Sequence, residues 1–559
     1  MNSADIASPR AKLVEGLWQL KQVCEQQDDQ GLRHMHFNTL MKDPDYRFDI
    51  IRRASASRNP KIRQLAQDLG SLDSRDVLIA KQSTAAARLA INPDIAATRA
   101  RQQGTPSLEP DTQPRLLPQK RAWRMPAAAL LLAIVAVAGW LFRDALGFAG
   151  NQVSVSGSLF GQQHWTADKQ WILEDVVYVE AGARLVIDPG TQVLGKQGSA
   201  LVVTRDAILH ARGTAVAPIV FTSAAAVGAR KAGDWGGLVM LGNAPVNVAD
   251  ARIEGVPEGD TRAAFGGVDA KSNCGVLEYA RVEFAGFEAY ANNELNGLTL
   301  GGCGSNTIVR NVQVHHALDD GIEVFGGTVD LKHIVITGAG DDSLDWDMGW
   351  RGRVQFLVVQ QYPGVGDNAF EGDSNGDNHL AKPVSEPSFY NVTLISANSP
   401  DKYQRAMTLR RGTGGHFNNM LVQGFSGELI DLRDSATVDR LASGQLSFGA
   451  MTVDRIGATG KQFFGPESGD KDDDGGFDEQ AFFGSHNAVQ LGSSTGLTTG
   501  ADSVRAPNYV PLLRAGGARA SQLLLPQGEF WDEAAAYAGA VRPGIKASWL
   551  DGWTAFPEA

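Results

Sequence analysis

A pattern repeated at a spacing of 22 residues constrains this chain more than any other feature. Asn311-Val-Gln-Val-His315 followed by Asp319-Asp320-Gly-Ile-Glu323-Val-Phe returns as His333-Ile-Val-Ile-Thr337 followed by Asp341-Asp342-Ser-Leu-Asp345-Trp346-Asp347. Each copy reads as a short β-branched strand, a turn with two acids, and a second strand. In that second strand Ile322 and Val324, or Leu344 and Trp346, alternate with polar residues. One such unit cannot bury its apolar side alone, so neighbours must stack. The expected architecture is an all-β solenoid, a parallel β-helix.

The repeat also gives a register for acids. Asn292-Asn293-Glu-Leu-Asn296, Asp319-Asp320-Gly-Ile-Glu323, Asp341-Asp342-Ser-Leu-Asp345 and Asp367-Asn368-Ala-Phe-Glu371 match position for position, with Gly427-Glu428-Leu-Ile-Asp431 as a candidate continuation. The apolar residue before the last position faces the core, so Asn296, Glu323, Asp345 and Glu371 are expected to point outward. Coils stack roughly 4.8 Å apart, so these residues form a ladder. Like charges that close raise one another's pKa or require a cation between them.

Two readings stay open. In the functional one, Glu323, Asp345, Asp347 and Glu371 line a groove for Ca²⁺, a sugar chain or both. Trp346, Trp350 or Tyr362 then serve as stacking surfaces, and Arg351, Arg353, Arg405, Arg410 or Arg411 answer an acidic polymer. In the structural one, the Asp-Asp pairs cap turns, while the outer acids keep the coils soluble and block edge pairing.

The rest of the chain divides around one apolar run. Met125 to Phe142 is 18 residues without a charge, long enough to cross a hydrocarbon layer of roughly 30 Å as a helix. Trp123 and Trp140 stand near its ends. Arg115, Lys120, Arg121 and Arg124 precede it, and only Arg143 follows before Asp144. Residues 1–124 carry 20 Lys/Arg against 14 Asp/Glu, whereas the remainder carries 31 against 49. The positive-inside bias puts the N-terminus in the cytoplasm and the C-terminal region outside, in a bacterial inner membrane with residues 122–143 as the spanning helix.

Ahead of the run, residues 1–97 read as a small helical cytoplasmic domain. Ser8-Pro9, Asp43-Pro44 and Asn59-Pro60 each place a capping residue before a proline at the first helical position. Leu13, Leu17, Leu20 and Cys24 share one face of the first helix, and Ile62, Leu65 and Leu69 share one face of the third. His34 and His36 beside Cys24 match no zinc spacing. A basic helical head on a single-span protein suits a cytoplasmic protein partner, and no nucleic-acid partner is expected. Residues 98–121, with four Pro and several Gln, read as an extended linker.

Beyond the run, strands from Val176 to Thr222 read as the first coils. Asp234-Trp-Gly-Gly-Leu, Phe265-Gly-Gly, Val276-Leu-Glu-Tyr-Ala-Arg-Val-Glu-Phe-Ala-Gly286, Asn296-Gly-Leu-Thr-Leu-Gly-Gly302, the two acidic copies, Tyr537-Ala-Gly-Ala-Val-Arg-Pro-Gly and Trp549-Leu-Asp-Gly-Trp-Thr follow. On these motifs the chain resembles large secreted or surface-attached bacterial proteins with a pectate-lyase-like domain, over about residues 163–559. The resemblance implies a right-handed parallel β-helix across residues 151–559, with activity largely unassigned. It does not reach the head, and a cytoplasmic head with a membrane span departs from the secreted form.

Of three cysteines, Cys24 lies in the head, while Cys274 and Cys303 are 29 residues apart in the external region, where two such thiols can pair. Asp373-Ser-Asn-Gly-Asp377 and Asp470-Lys-Asp472-Asp-Asp474-Gly475 are candidate calcium loops. The second has Ala481 where a calcium loop carries its bidentate Glu.

Three functions fit. The first is a membrane-anchored binding or scaffold module for polysaccharide, cell wall or another envelope protein. The second is a single-span signalling protein whose head holds a regulator. The third is a calcium-dependent polysaccharide lyase or hydrolase, with Asp341, Asp345, Glu371 and Arg410 as candidate catalytic residues.

Overall fold

The computed structural model describes residues 151–558 apart from 257–259, 291–292, 466–473, 499–503, 513–522 and 524–525, together with 17, 20, 23, 44–55, 57, 59–67 and 69 in the N-terminal part. The chain divides into two units, residues 1–147 and 148–559.

In the first unit a helix spans Pro44–Ser55. A second helical stretch covers 60–67, where Asn59 accepts the Lys61 N–H at 2.9 Å. Leu17, Leu20, Val23, Ile50, Ile51, Ala54, Ile62, Ala66 and Leu69 are buried together. Leu13, Cys24, His34, His36 and the apolar run 125–142 lie outside the described residues. Among the described residues, no helix is long and apolar enough to cross a membrane.

The second unit is a parallel β-helix whose first strand, Gln152–Leu159, pairs in parallel with Gln170–Val179. Its repeating unit is larger than a pair of short strands. Ile308–His315, Asp330–Thr337, Arg353–Gln360, Ser388–Ile395 and Gly415–Gln423 pair in parallel, coil upon coil, after Gly275–Glu283. Each of these strands turns at one left-handed residue. Tyr279, Asn311, His333, Phe356, Asn391 and Asn419 share the register position, with φ between 46° and 61°. Asn tolerates that conformation best. The ring of His333 stacks on that of Phe356 at 4.8 Å, a contact that offsets part of the strain there. A coil therefore has three faces: residues before the turn, residues after it, and a short strand. The short strands Leu298–Gly301, Ile322–Phe325, Leu344–Asp347, Asn368–Gly372 and Arg405–Leu409 form their own parallel stack.

The core fills with the inward residues of all three faces. Ile322, Val324, Val312, Val314, Leu331, Ile334, Ile336 and Leu344 are all at 0–1 % exposure. Towards the C-terminus, aromatic residues take over. Trp346, Trp350, Phe370, Phe389, Phe417 and Phe448 pack ring on ring, with Phe389 and Phe417 stacked at 5.2 Å.

Two segments cover outer faces. Ala251, Ile253, Val256 and Phe265 cover Val239, Leu241 and Phe325. The C-terminal segment covers the second face, where Val541, Leu550 and Trp553 pack on Val335, Val358 and Leu421. Cys274, just before Gly275–Glu283, and Cys303, just after Leu298–Gly301, are disulfide-bonded, S–S 2.03 Å, and both are buried in the core.

Candidate functional site

The short-strand stack carries the acids because its inward positions are fixed by apolar pairs. Leu298 and Leu300, Ile322 and Val324, and Leu344 and Trp346 point in, so the alternate positions point out. The outer column runs Thr299, Glu323, Asp345, Glu371, Thr408, Asp431. Asn296 is not in it. Thr299 pairs with Glu323, and Asn296 stands three residues earlier, level with Asp320. The likeness of Asn292-Asn293 to Asp319-Asp320 is a coincidence of composition, and the leucines after Gly297 set the true register. Asp431 does belong to the column, two coils beyond Glu371.

A second column stands three residues ahead of the first: Asn296, Asp320, Asp342, Asn368. Asp320 Oδ1 accepts the Asp342 N–H at 2.9 Å, and Asp342 Oδ1 accepts the Asn368 N–H at 2.7 Å and its Nδ2 at 2.8 Å. These two aspartates therefore tie coil to coil. Thr408 Oγ1 donates to Asn368 Oδ1 at 2.7 Å, and Asn296 Nδ2 donates to Glu323 Oε2 at 2.5 Å.

The two columns converge. Asp320, Glu323 and Asp345 place one carboxylate oxygen each within 4.8 Å of one another, and so do Asp342, Asp345 and Glu371, and Asp319, Asp320 and Asp341. Burial is the largest cause lifting these groups, with the neighbouring carboxylates adding to it. The pKa values of Asp320, Glu323, Asp342 and Asp345 lie well above the usual range. Burial raises Glu371 to about 7 against the opposing pull of Arg410, and Asp347 to about 6. Asp345 Oδ1 and Asn296 Oδ1 are buried without a hydrogen-bond partner. Such a set of hard oxygens fits a divalent cation better than it fits vacuum or bulk apolar contact.

Other expected ligands fall elsewhere. Trp346 and Trp350 are 0 % exposed and belong to the aromatic core, so neither offers a stacking surface. Trp346 follows the same inward alternation as Leu344, and its Nε1 donates to Thr413 Oγ1 at 3.1 Å. Tyr362 is also buried, its hydroxyl donating to the Val504 carbonyl.

The arginines expected to answer an acidic polymer are engaged by the protein's own acids. Arg410 bonds Glu371 and, at 2.8 Å, Asp373; Arg411 reaches Asp373 at 2.6 Å. Arg405 reaches Glu428 at 2.8 Å, Arg353 reaches Asp330 at 2.6 Å, and Arg351 lies 3.5 Å from Glu386. Asp373 is thus neutralised by arginines and forms no metal group with the exposed Asp377. Asp470 and Asp472 lie outside the described residues, while Asp474 Oδ1 accepts the Gly476 N–H at 2.7 Å. Asp341 is exposed at the rim of the acidic groups.

Sequence reasoning missed Thr299 and Thr408 as members of the outer column. Their signal was the inward apolar pairs, such as Met407 and Leu409, that set the rung. It also missed the polar residues under the C-terminal segment, which carry no periodic mark.

Residues 157–497 match the family model described as a pectate-lyase like beta helix domain. The chain belongs to this family. The match covers the coils that hold both acidic columns and stops before the C-terminal segment of this pectate-lyase-like β-helix. No curated protein and no solved structure matches the chain.

Proposed function

We propose that the β-helix is a binding or scaffold module held outside a bacterial inner membrane by the apolar run 125–142. It takes polysaccharide, cell-wall material or another envelope protein on its acidic face, with a divalent cation such as Ca²⁺ between the carboxylates and the ligand. The observation that carries this reading is the convergence of Asp320, Glu323, Asp342 and Asp345. Among the described residues, no Lys or Arg forms an ion pair with any of these four carboxylates. Buried like charges are stable only when protonated or when a cation joins them. A cation with open coordination positions then recruits hydroxyl or carboxylate oxygens from a glycan.

The buried disulfide suits an oxidising compartment. Arg410, bound by two carboxylates, offers no free base for lyase chemistry, which favours binding over cleavage. The head supplies a surface for a cytoplasmic partner. The test is a glycan array probed with the detergent-solubilised full-length protein in Ca²⁺ and in chelator. Binding in Ca²⁺ that Asp345→Asn removes is expected; an array blank under both conditions, with cell-wall material also unbound, overturns the reading.

A further inference from the structure

We propose that the acidic face seats one divalent cation, held by Asp320, Glu323 and Asp345 with Asn296 beside them, and that the Arg410 guanidinium stands where a second cation would sit. This rests on the acidic face being the binding surface and fixes which rung carries the ion.

Two of the three-carboxylate groups share Asp345: one with Asp320 and Glu323, the other with Asp342 and Glu371. The second group has its positive charge built in. Arg410 bonds Glu371 directly and holds Asp373 at 2.8 Å, so an added divalent ion there meets a guanidinium at contact distance. The first group has no such partner among the described residues.

A separate observation marks the first group as incomplete. Asn296, 3 % exposed, lies against it with Nδ2 2.5 Å from Glu323 Oε2 and 3.2 Å from Thr299 Oγ1, yet its Oδ1 has no hydrogen-bond partner. A buried carboxamide oxygen without a donor is rare unless a water or a ligand completes it. Asp345 Oδ1, in the group itself, is likewise buried without a hydrogen-bond partner, and a set of carboxylate oxygens selects a hard cation, Ca²⁺ or Mg²⁺, over one that prefers nitrogen or sulfur. The third group, Asp319, Asp320 and Asp341, opens to solvent at Asp341, where water competes with the carboxylates for an ion.

The experiment counts Ca²⁺ by calorimetry on the full-length protein in detergent. One ion per chain is expected. Glu323→Gln and Asp345→Asn should each weaken it by at least about tenfold, the scale at which loss of a metal-supporting group is felt. Glu371→Gln should leave the count at one and the affinity within about threefold, since it touches only the arginine-filled group. Arg410→Gln, checked by its melting curve to be folded, should raise the count to two.

No bound ion overturns the proposal. So does one ion that is indifferent to Glu323→Gln and Asp345→Asn, or one lost equally in Glu371→Gln. Glycan binding that persists in chelator sinks the seat while leaving the binding face. A count of one with a blank array does the reverse.

Discussion

Two outer faces of the same helix treat their polar groups in opposite ways. Under the C-terminal segment, Gln313 Nε2 donates to the Ala555 carbonyl at 2.7 Å and its Oε1 accepts the Ala555 N–H at 2.9 Å. Asn391 Nδ2 donates to the carbonyls of Ala535 and Tyr537, Thr393 Oγ1 accepts the Ala540 N–H, and His315 Nε2 meets the Pro557 carbonyl at 2.8 Å. On the acidic face, a comparable depth of burial leaves Asp345 Oδ1 and Asn296 Oδ1 unpaired, and like charges face one another. The difference separates a finished surface from an unfinished one. Where the chain itself supplies every partner, polar burial is structural; Asp345 Oδ1 and Asn296 Oδ1 lack one, which is the gap the proposed cation would fill.

The comparison breaks most visibly if the covering segment is removed. Truncation after Glu529 uncovers Val335, Val358 and Leu421 and withdraws Val541, Leu550 and Trp553, at a cost of roughly 5 kcal/mol or more from burial alone. Chemical denaturation should show that loss. A truncated chain as stable as the parent would mean the segment is an ornament.

Asn391→Ala is the smaller version. It leaves two carbonyls without their donor and should cost about 1–3 kcal/mol, readable in the same assay.

The two faces should also answer pH with opposite signs. Burial raises Glu371 to about 7, so the folded chain holds that proton more tightly than the unfolded one. The acidic face therefore gains stability as pH falls from above 7 toward 4.5, and loses it as pH rises through 7. Burial lowers His315 and His333 to about 4, so their neutral forms stabilise the fold above 6.5 and that contribution is lost as pH falls from 6.5 towards 4. These windows overlap, and two histidines outweigh one glutamate inside the overlap, so in chelator melting temperature should pass through a maximum near its upper edge, and Glu371→Gln should flatten the alkaline side. A steady decline from pH 8 downward would mean that the acids are already satisfied.

Much of this was legible in the sequence where side-chain alternation is strict. The pairs Ile322/Val324 and Leu344/Trp346 fixed the outward position of Glu323 and Asp345 before any coordinates, because a one-residue slip would turn the core outward. The same alternation placed Trp346 inside, against its reading as a sugar platform. The register failed at Asn296, where the hairpin of Glu288–Tyr290 with Asn293–Glu294 interrupts the coil and polar likeness replaces apolar spacing. The turning residue of each long strand was hidden, since Tyr279, His333 and Phe356 are not the residues that usually announce a left-handed backbone. The C-terminal motifs around Tyr537 and Trp549 stood out as patterns, but a segment that runs across coils has no period to show where it lies.

The most direct measurement is the thermal stability of the full-length protein carrying Glu323→Gln together with Asp345→Asn, compared with the parent in chelator and in Ca²⁺. If these carboxylates await an external cation, the double variant melts higher than the parent in chelator, by about 1–3 kcal/mol of stability, and gains less than the parent from Ca²⁺. A double variant that melts lower in chelator, with Ca²⁺ shifting both proteins alike, would mean the acidic face is complete as folded and the account of it as a binding surface is wrong.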